Sequence, residues 1–487
     1  MCRIKLFKNS HIDGQYLPFH NVCQYLSIPY AKVPARFAKP QPLDDINEIT
    51  SQLNFPPSCP QHLPDWARHM MTPITSDQSE DCLFLNIWTR PSKYDRNGMK
   101  RANPTLKPTL VWIHGGGYQF GSSSLDETNG TVLASNDIAV ITLNYRLNAF
   151  GFLSFNQLDY EGNMGLYDQA EALNWINKYG SYFGLDSKQV TLAGQGMGSM
   201  SISAHFVSPF TRHLFNRAIM TTGSIFVNPV TYSSSDDVAN VLIESVGCSR
   251  QTDLDEDAKD GKLIDCLRSK KVEDILNTVD KLNAINPVSF IFNPDDEFFN
   301  FTNPVEMSLE LDKFVSNSSK QILFGFNADE GSLLIHSLYS NLFSHNSTPT
   351  LTTFQEYRQI LLDLFVDRFH VPRALIRTAI DDAVKENMSQ TELIKASYDL
   401  VANNVFVCPT LLFAEEMSSL YDSRVYGFVN NGRTSYNQLP DWFGTIHNEE
   451  VPMMFGFPTR YNEKFSKEEI QFSERMVKTI AHFVQTG

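Results

Sequence analysis

Residues 189–201 read Gln-Val-Thr-Leu-Ala-Gly-Gln-Gly-Met-Gly-Ser-Met-Ser, and this stretch decides the fold. An apolar run, from Val190 to Ala193, leads into glycines at alternate positions, and a segment with helical character follows. The pattern predicts a strand, a sharp turn and a helix in direct succession. Gly196 stands at the centre of the predicted turn.

Two kinds of loop place glycines in this way. In Gly-x-Ser-x-Gly the glycines clear space for a nucleophile elbow, whose central serine stands exposed at the end of a strand. A dinucleotide-binding loop requires Gly-x-Gly-x-x-Gly instead. Position 199 is Ser199, and several predicted strands precede the stretch. The elbow is therefore favoured over the dinucleotide loop, with Gly196 at its nucleophile position.

The composition indicates a large folded body and excludes some partners. Apolar residues make up 42% of the 487 residues, and 35 of them are phenylalanine, which predicts a deep packed interior. The formal charge of -15 disfavours nucleic acid and anionic membrane surfaces as partners. No apolar run reaches the roughly 18 residues that a membrane-spanning helix needs. The basic start lacks the apolar core of a signal peptide.

The cysteines favour an oxidising compartment. Two pairs flank loop-like stretches that a disulfide can close, Cys59 with Cys82 and Cys248 with Cys266. Neither pair has the spacing of a zinc site, so no metal is expected. Three cysteines are left over without an assigned partner: Cys2, Cys23 and Cys408.

Glycosylation sequons agree with that compartment. Five Asn-x-Ser/Thr sequences occur, mostly in polar surroundings, at Asn129, Asn300, Asn317, Asn346 and Asn387. Together with the cysteines they predict an extracellular protein, secreted or tethered by a segment outside this chain.

Strands and helices surround the elbow in an alternating order. Buried strands are predicted near residues 109–114, 138–144, 217–223, 321–326 and 425–429, and an amphipathic helix near 168–182 leads into the elbow strand. A strand, a helix and a strand in this order form a right-handed crossover with a parallel pair. Repeated prolines in residues 25–43 predict an extended path along the surface. Ser466 and Glu469 form a capping box that opens a helix reaching about Val484.

Six motifs occur in the order of a known family. They are Ile-Pro-Tyr-Ala at 28–31, Ser-Glu-Asp-Cys-Leu at 79–83, His-Gly-Gly-Gly at 114–117, Asn-Tyr-Arg at 144–146, Gly-Asn-Met-Gly-Leu-Tyr-Asp-Gln at 162–169 and Trp-Phe-Gly-Thr-Ile-His at 442–447. The chain thus resembles the type-B carboxylesterase and cholinesterase family of α/β hydrolases. The resemblance implies an α/β fold with a large, mostly parallel central sheet flanked by helices, with long insertions. It also implies one domain over residues 1–487, shortened at both ends.

The resemblance assigns the site residues. It makes Glu330 the acid and His447 the base of a catalytic triad, and positions 196, 330 and 447 follow the nucleophile, acid, base order of this fold. Gly116, Gly117 and Met197 resemble the oxyanion hole, whose backbone N–H groups stabilise a tetrahedral intermediate.

Gly196 decides between two functions. Without a hydroxyl there, His447 has nothing to deprotonate, and Ser199 is expected to lie out of place. We expect a catalytically impaired protein that serves as a cell-surface or secreted binding or adhesion scaffold. The alternative is a carboxylic ester hydrolase, carboxylesterase-like or acetylcholinesterase-like, with weak or altered activity. The expected partner is a cell-surface protein or a small ester-like or hydrophobic ligand, with a homodimer as a further candidate and no cofactor.

Overall fold

The computed structural model describes residues 2–7, 10–45, 48–69, 71–91, 105–154, 162–226, 235–248, 256–285, 289–293, 296–299, 320–343, 348–419 and 423–487. Its strands are β1 (Arg3–Phe7), β2 (Ser10–Asp13), β3 (Gln15–Leu17), β4 (Val22–Pro29), β5 (Ala31–Lys32), β6 (Gln41–Pro42), β7 (Phe84–Thr89), β8 (Lys107–Ile113), β9 (Ala139–Leu143), β10 (Leu185–Gln195), β11 (Arg217–Thr221), β12 (Gln321–Asn327) and β13 (Arg424–Asn430).

The α-helices lie between and after these strands. They are α1 (Thr131–Ala134), α2 (Asn148–Phe152), α3 (Met164–Tyr179), α4 (Met197–Val207), α5 (Ser235–Ser245), α6 (Glu256–Ser269), α7 (Val272–Ile285), α8 (Gly331–Leu338), α9 (Phe354–Leu362), α10 (Arg373–Ala383), α11 (Gln390–Ala402), α12 (Cys408–Ser419), α13 (Val451–Phe455), α14 (Phe457–Arg460) and α15 (Lys467–Thr486). The capping box predicted for the last helix is present, with Ser466 accepting from the Glu469 N–H.

A nine-stranded sheet forms the centre, in the order β13-β12-β11-β10-β8-β9-β7-β4-β3. The strands from β13 to β9 pair in parallel. β7, β4 and β3 continue the sheet with antiparallel pairing. The mostly parallel sheet flanked by helices that the resemblance implied is therefore confirmed.

Both faces of the sheet are buried. Along β8, Val111 and Ile113 belong to the core cluster that also contains Trp175 of α3. The alternate residue Trp112 belongs to the opposite cluster, which contains Val477 and Val484 of α15. Successive side chains of a strand point to opposite faces, so a strand covered on both sides reads as a continuous apolar run. This burial fixes the sheet and holds its carboxyl edge in place.

The path predicted for residues 25–43 is wrong in its first part. Tyr25 and Ile28 lie in β4, a strand inside the central sheet, and are 4% and 0% exposed. Pro29 is the last residue of that strand, so the extended course predicted there is present and only the surface position is wrong. The other prolines of the segment follow β4.

Three disulfides link described residues. The two pairs expected from the sequence form, Cys59–Cys82 and Cys248–Cys266. Cys2 and Cys23, which the sequence left unassigned, also pair, because the β1–β2 hairpin brings Cys2 to β4. Cys408 is an exposed free thiol on α12.

Candidate active site

The elbow forms where β10 meets α4. β10 ends at Gln195 and α4 begins at Met197, so Gly196 alone makes the turn. Its backbone angles are φ 56° and ψ -120°. Its N–H donates to the Thr221 carbonyl at 2.9 Å, and its carbonyl accepts from the Met200 N–H at 3.0 Å. A residue other than glycine pays about 1 to 3 kcal/mol for such a conformation.

The buried Glu330 and the partly buried His447 form an acid–base pair. Glu330 lies three residues after β12, and its Oε2 is 2.5 Å from Nδ1 of His447. Oε1 of Glu330 accepts from the Asn327 N–H at 2.7 Å and from the Thr222 hydroxyl. His447 also stacks on Phe406, with ring centroids 5.2 Å apart. These contacts fix the orientation of the imidazole.

The free nitrogen of His447 is directed at Gly196. A Cβ atom added to Gly196 would lie 2.9 Å from Nε2 of His447. Burial lowers the pKa of His447, but the charge and hydrogen bond of Glu330 and the charge of Glu450 outweigh it, so the pKa is raised. The structure thus brings together positions 196, 330 and 447.

A second buried carboxyl supports this pair. Glu450 Oε2 accepts from Asn327 Nδ2 at 2.5 Å, so Asn327 bridges Glu450 and Glu330. Burial and the charge of Glu330 raise the pKa of Glu450. Asn327, Thr222 and Glu450 were not predicted from the sequence. Asn327 precedes Glu330 by three residues, and Glu450 follows His447 by three residues. This closeness in the sequence was the available signal.

The glycine loop that carries two of the three expected oxyanion donors adjoins the elbow, and the third, Met197, directly follows Gly196. Gly116 has a φ of 100°, and a Cβ there would lie 2.0 Å from the Phe120 carbonyl oxygen, so only glycine fits. Gly117 also has a positive φ, of 66°. Met197 is the first residue of α4, so its N–H has no acceptor within the helix. A Cβ at Gly115 would lie 2.6 Å from the Gln195 carbonyl oxygen, so the glycine loop adjoins the elbow.

Neighbouring hydroxyls are engaged elsewhere. Ser199 is fully buried and donates to the Gly223 carbonyl at 2.6 Å. Ser201 is also buried and bonds to the Tyr118 hydroxyl at 2.9 Å. Neither side chain replaces a hydroxyl at position 196.

The sequons differ in access. Asn129 is 8% exposed, and its Oδ1 accepts from the Thr131 hydroxyl and N–H, so this site is enclosed by the fold. Asn387 is exposed in a turn before α11. Asn300, Asn317 and Asn346 lie outside the described residues.

The sheet order, the one-residue elbow and the acid–base pair at the carboxyl edge define the α/β-hydrolase fold. The sequence model of the carboxylesterase family matches residues 4–487, and the chain belongs to this family. Acetylcholinesterase-1 of Trittame loki is 34% identical over 97% of this chain and 84% of its own length. Cholinesterase of Mus musculus is 30% identical over 99% of the chain and 78% of its own length.

In the described part of the chain, no helix is both long enough and apolar enough to cross a membrane. Nor does that part contain a group of three or more His, Cys, Asp or Glu side chains arranged to hold a metal ion.

Proposed function

We propose that this chain is a catalytically impaired, cholinesterase-like binding or adhesion scaffold that works outside the cell. The observation that carries the proposal is Gly196, which stands at the elbow opposite Nε2 of His447 and supplies no hydroxyl. Loss of the triad serine lowers turnover in a serine hydrolase by about a millionfold. No acyl-enzyme forms on this chain by that route.

The conformation of Gly196 agrees with a role that does not need turnover. A serine in this position stores backbone strain, whereas glycine adopts the same angles freely. Once catalysis is not required, glycine is the stabilising residue. The disulfides and the exposed sequon at Asn387 favour an extracellular location, where such bonds persist.

A second function has its own support. The pair of Glu330 and His447 remains assembled, and the relatives named above are cholinesterases. A water molecule activated by His447 would then give a weak or altered ester hydrolase. The residual catalysis of such sites is small compared with that of an intact triad.

Hydrolysis assays separate the two functions. Turnover of p-nitrophenyl acetate and acetylthiocholine is measured for the unmodified chain, for Gly196→Ser and for Gly196→Ala. The alanine variant carries the same backbone strain without a hydroxyl and is the matched control. We expect Gly196→Ser to exceed the other two by at least about a thousandfold, although the His447 ring must shift to admit the side chain.

One result contradicts the proposal, and another shows that Gly196 is not the whole cause of the impairment. Hydrolysis by the unmodified chain at ordinary esterase rates, stopped by an organophosphate, would reveal another nucleophile. A folded Gly196→Ser variant that is as silent as Gly196→Ala would show that more than the nucleophile has been lost.

A further inference from the structure

The space over Gly196 fits an oxygen atom better than a carbon. A Cβ atom there would lie 2.9 Å from His447 Nε2 and 3.6 Å from its Cε1. Apart from the residues adjoining Gly196, no other described heavy atom comes within 4 Å of that point. A carbon is crowded at 2.9 Å from a ring nitrogen, whereas an oxygen at this distance has the length of an N–H···O hydrogen bond.

The atom that faces this space, Nε2 of His447, donates a hydrogen bond when the His447 ring is protonated. Its Nδ1 is taken by Glu330 at 2.5 Å, so Nε2 is the nitrogen left to bind a ligand. The charged groups around the ring are two acids, Glu330 from the loop after β12 and Glu450 at the start of α13, while Phe406 stacks on it without charge. These acids favour the protonated ring.

A second donor near the elbow has no acceptor in the described part of the chain. Gln195 is 3% exposed, and its Nε2 is buried without a hydrogen-bond partner. Its Oε1 lies against the glycine loop, where a Cβ at Gly115 would be 2.5 Å away. Buried amide donors are normally paired. Gln195 is the last residue before the elbow and its side chain lies against the glycine loop, so an unpaired donor here points to a ligand that accepts hydrogen bonds.

We propose that this site binds a small monocarboxylate. One carboxylate oxygen takes the space over Gly196 and accepts from His447 Nε2, and the other accepts from the donors around the glycine loop and the start of α4. The inference rests on the proposed function, because a hydroxyl at position 196 would occupy the same space. A monoanion fits better than a dianion such as sulfate, since Glu330 and Glu450 both lie close to the His447 ring.

The test uses the unmodified chain and calorimetric titration with butyrate between pH 6 and pH 8.5. Butyramide is the neutral control of the same shape, and inorganic sulfate, which stays doubly charged over this pH range, is the dianion control. We expect butyrate to bind at least about tenfold more tightly than butyramide, because an ionised acceptor makes the stronger hydrogen bond. It should exceed sulfate by a similar factor, because the two acids behind His447 repel a second negative charge. Affinity is expected to fall as the pH rises through the raised pKa of His447, where the ring loses its proton. N-acetylalanine then shows whether a peptide carboxyl terminus is accepted as well as a free acid.

Three variants locate the binding. His447→Gln removes the cation, and Gln195→Glu places a negative charge at the unpaired donor; each is expected to weaken butyrate binding about tenfold or more. His62→Gln is the matched control, because His62 also bonds a carboxylate, with Nδ1 2.6 Å from Asp280 Oδ2, but lies at the surface. It should leave the affinity unchanged. If His447→Gln does not fold, the pH and butyramide comparisons on the unmodified chain decide the question.

The inference is overturned if butyrate does not bind, if butyramide binds equally well, or if folded His447→Gln retains the full affinity. Failure of the proposed function gives a different result. In that case a fluorophosphonate labels the unmodified chain covalently, whatever the carboxylate titration shows.

Discussion

Two acid–base pairs in this chain, each with a fully buried carboxylate, use similar chemistry for different ends. Arg146 and Asp168 are 4% and 0% exposed and form a forked pair, with Nε and Nη2 of the arginine 2.8 Å and 2.7 Å from the two carboxylate oxygens. Nη1 of Arg146 donates to the Ala38 carbonyl at 2.7 Å. In the other pair, Glu330 is equally buried, but Nε2 of His447 faces the elbow.

The two pairs differ in whether the base keeps a nitrogen that is directed away from protein acceptors. Arg146 directs its guanidinium at protein acceptors, so the pair ties the segment after β9 to α3. Glu330 fixes one nitrogen of His447 and leaves the other directed at Gly196. A buried pair whose donors are all used by the protein serves the fold, and one with a donor directed at a space serves a ligand or a reaction.

The largest expected effect concerns the pair that faces the elbow. In the Gly196→Ser background, Glu330→Gln should lower kcat/KM for p-nitrophenyl acetate by about 10³ to 10⁴, because the amide no longer fixes and charges His447. Glu48→Gln is the control, since Glu48 pairs with Lys32 at the surface. Retention of more than about a tenth of the activity would show that Glu330 does not orient the base.

Removing one partner of the forked pair should affect stability. Arg146→Ala leaves the Asp168 carboxylate buried without its cation, which costs about 3 to 5 kcal/mol of the free energy of unfolding. Urea denaturation measures the loss. Arg358→Ala is the control, because Arg358 pairs with the partly exposed Asp381, and such a pair contributes about 0 to 1 kcal/mol. Similar losses in the two variants would remove the distinction between a buried and a surface pair.

A third buried acid, Glu127, extends the comparison, because a threonine rather than a basic side chain donates hydrogen bonds to it. Glu127 is 1% exposed and accepts from the N–H and hydroxyl of Thr72. Burial raises the pKa of Glu127 from 4.5 to about 7, despite those hydrogen bonds. The folded state therefore holds this proton more tightly than the unfolded state does. The stabilisation is complete below about pH 4.5 and is lost as the pH rises to 7.

Glu127→Gln removes this titration. The free energy of unfolding of the unmodified chain, relative to the variant, should fall by on the order of 3 kcal/mol between pH 4.5 and pH 7, since each pH unit contributes about 1.4 kcal/mol. Chemical denaturation at several pH values measures the difference, with the exposed Glu416→Gln as control. A difference that is constant with pH would show that Glu127 does not titrate in this range.

Local pattern predicted the parts of the site that follow strands. The apolar run before Gly194 and the turn at Gly196 gave the elbow, and the family motifs gave Glu330 and His447, which the structure places together. Each belongs to a short stretch whose chemistry is visible in the sequence. The parallel pairing of β8 with β9 and of β10 to β13 with their neighbours agrees with the predicted alternation of strands and helices.

The features that the sequence did not predict depend on contacts between segments that are far apart in the chain. The partner of Cys2 is set by the β1–β2 hairpin, which brings it to β4, and Tyr25 packs against the ring of Phe183 from the segment before β10. The buried contact between Thr72 and Glu127 joins residues 55 positions apart. No local period records such pairings, because they depend on which segments meet across the fold.

The smallest expected effect shows whether Ser199 serves the fold, as Arg146 and Asp168 do, or the reaction, as Glu330 and His447 would. Ser199→Ala removes a buried hydrogen bond to the Gly223 carbonyl and should cost about 1 kcal/mol of the free energy of unfolding. Ser418→Ala is the control, since its bond to the Glu415 carbonyl is exposed and its loss should cost less than about 0.5 kcal/mol. In the Gly196→Ser background, kcat/KM should change less than about twofold, because the hydroxyl is committed to the backbone. A tenfold loss of activity in a folded variant would place Ser199 with His447 rather than with the structural pairs.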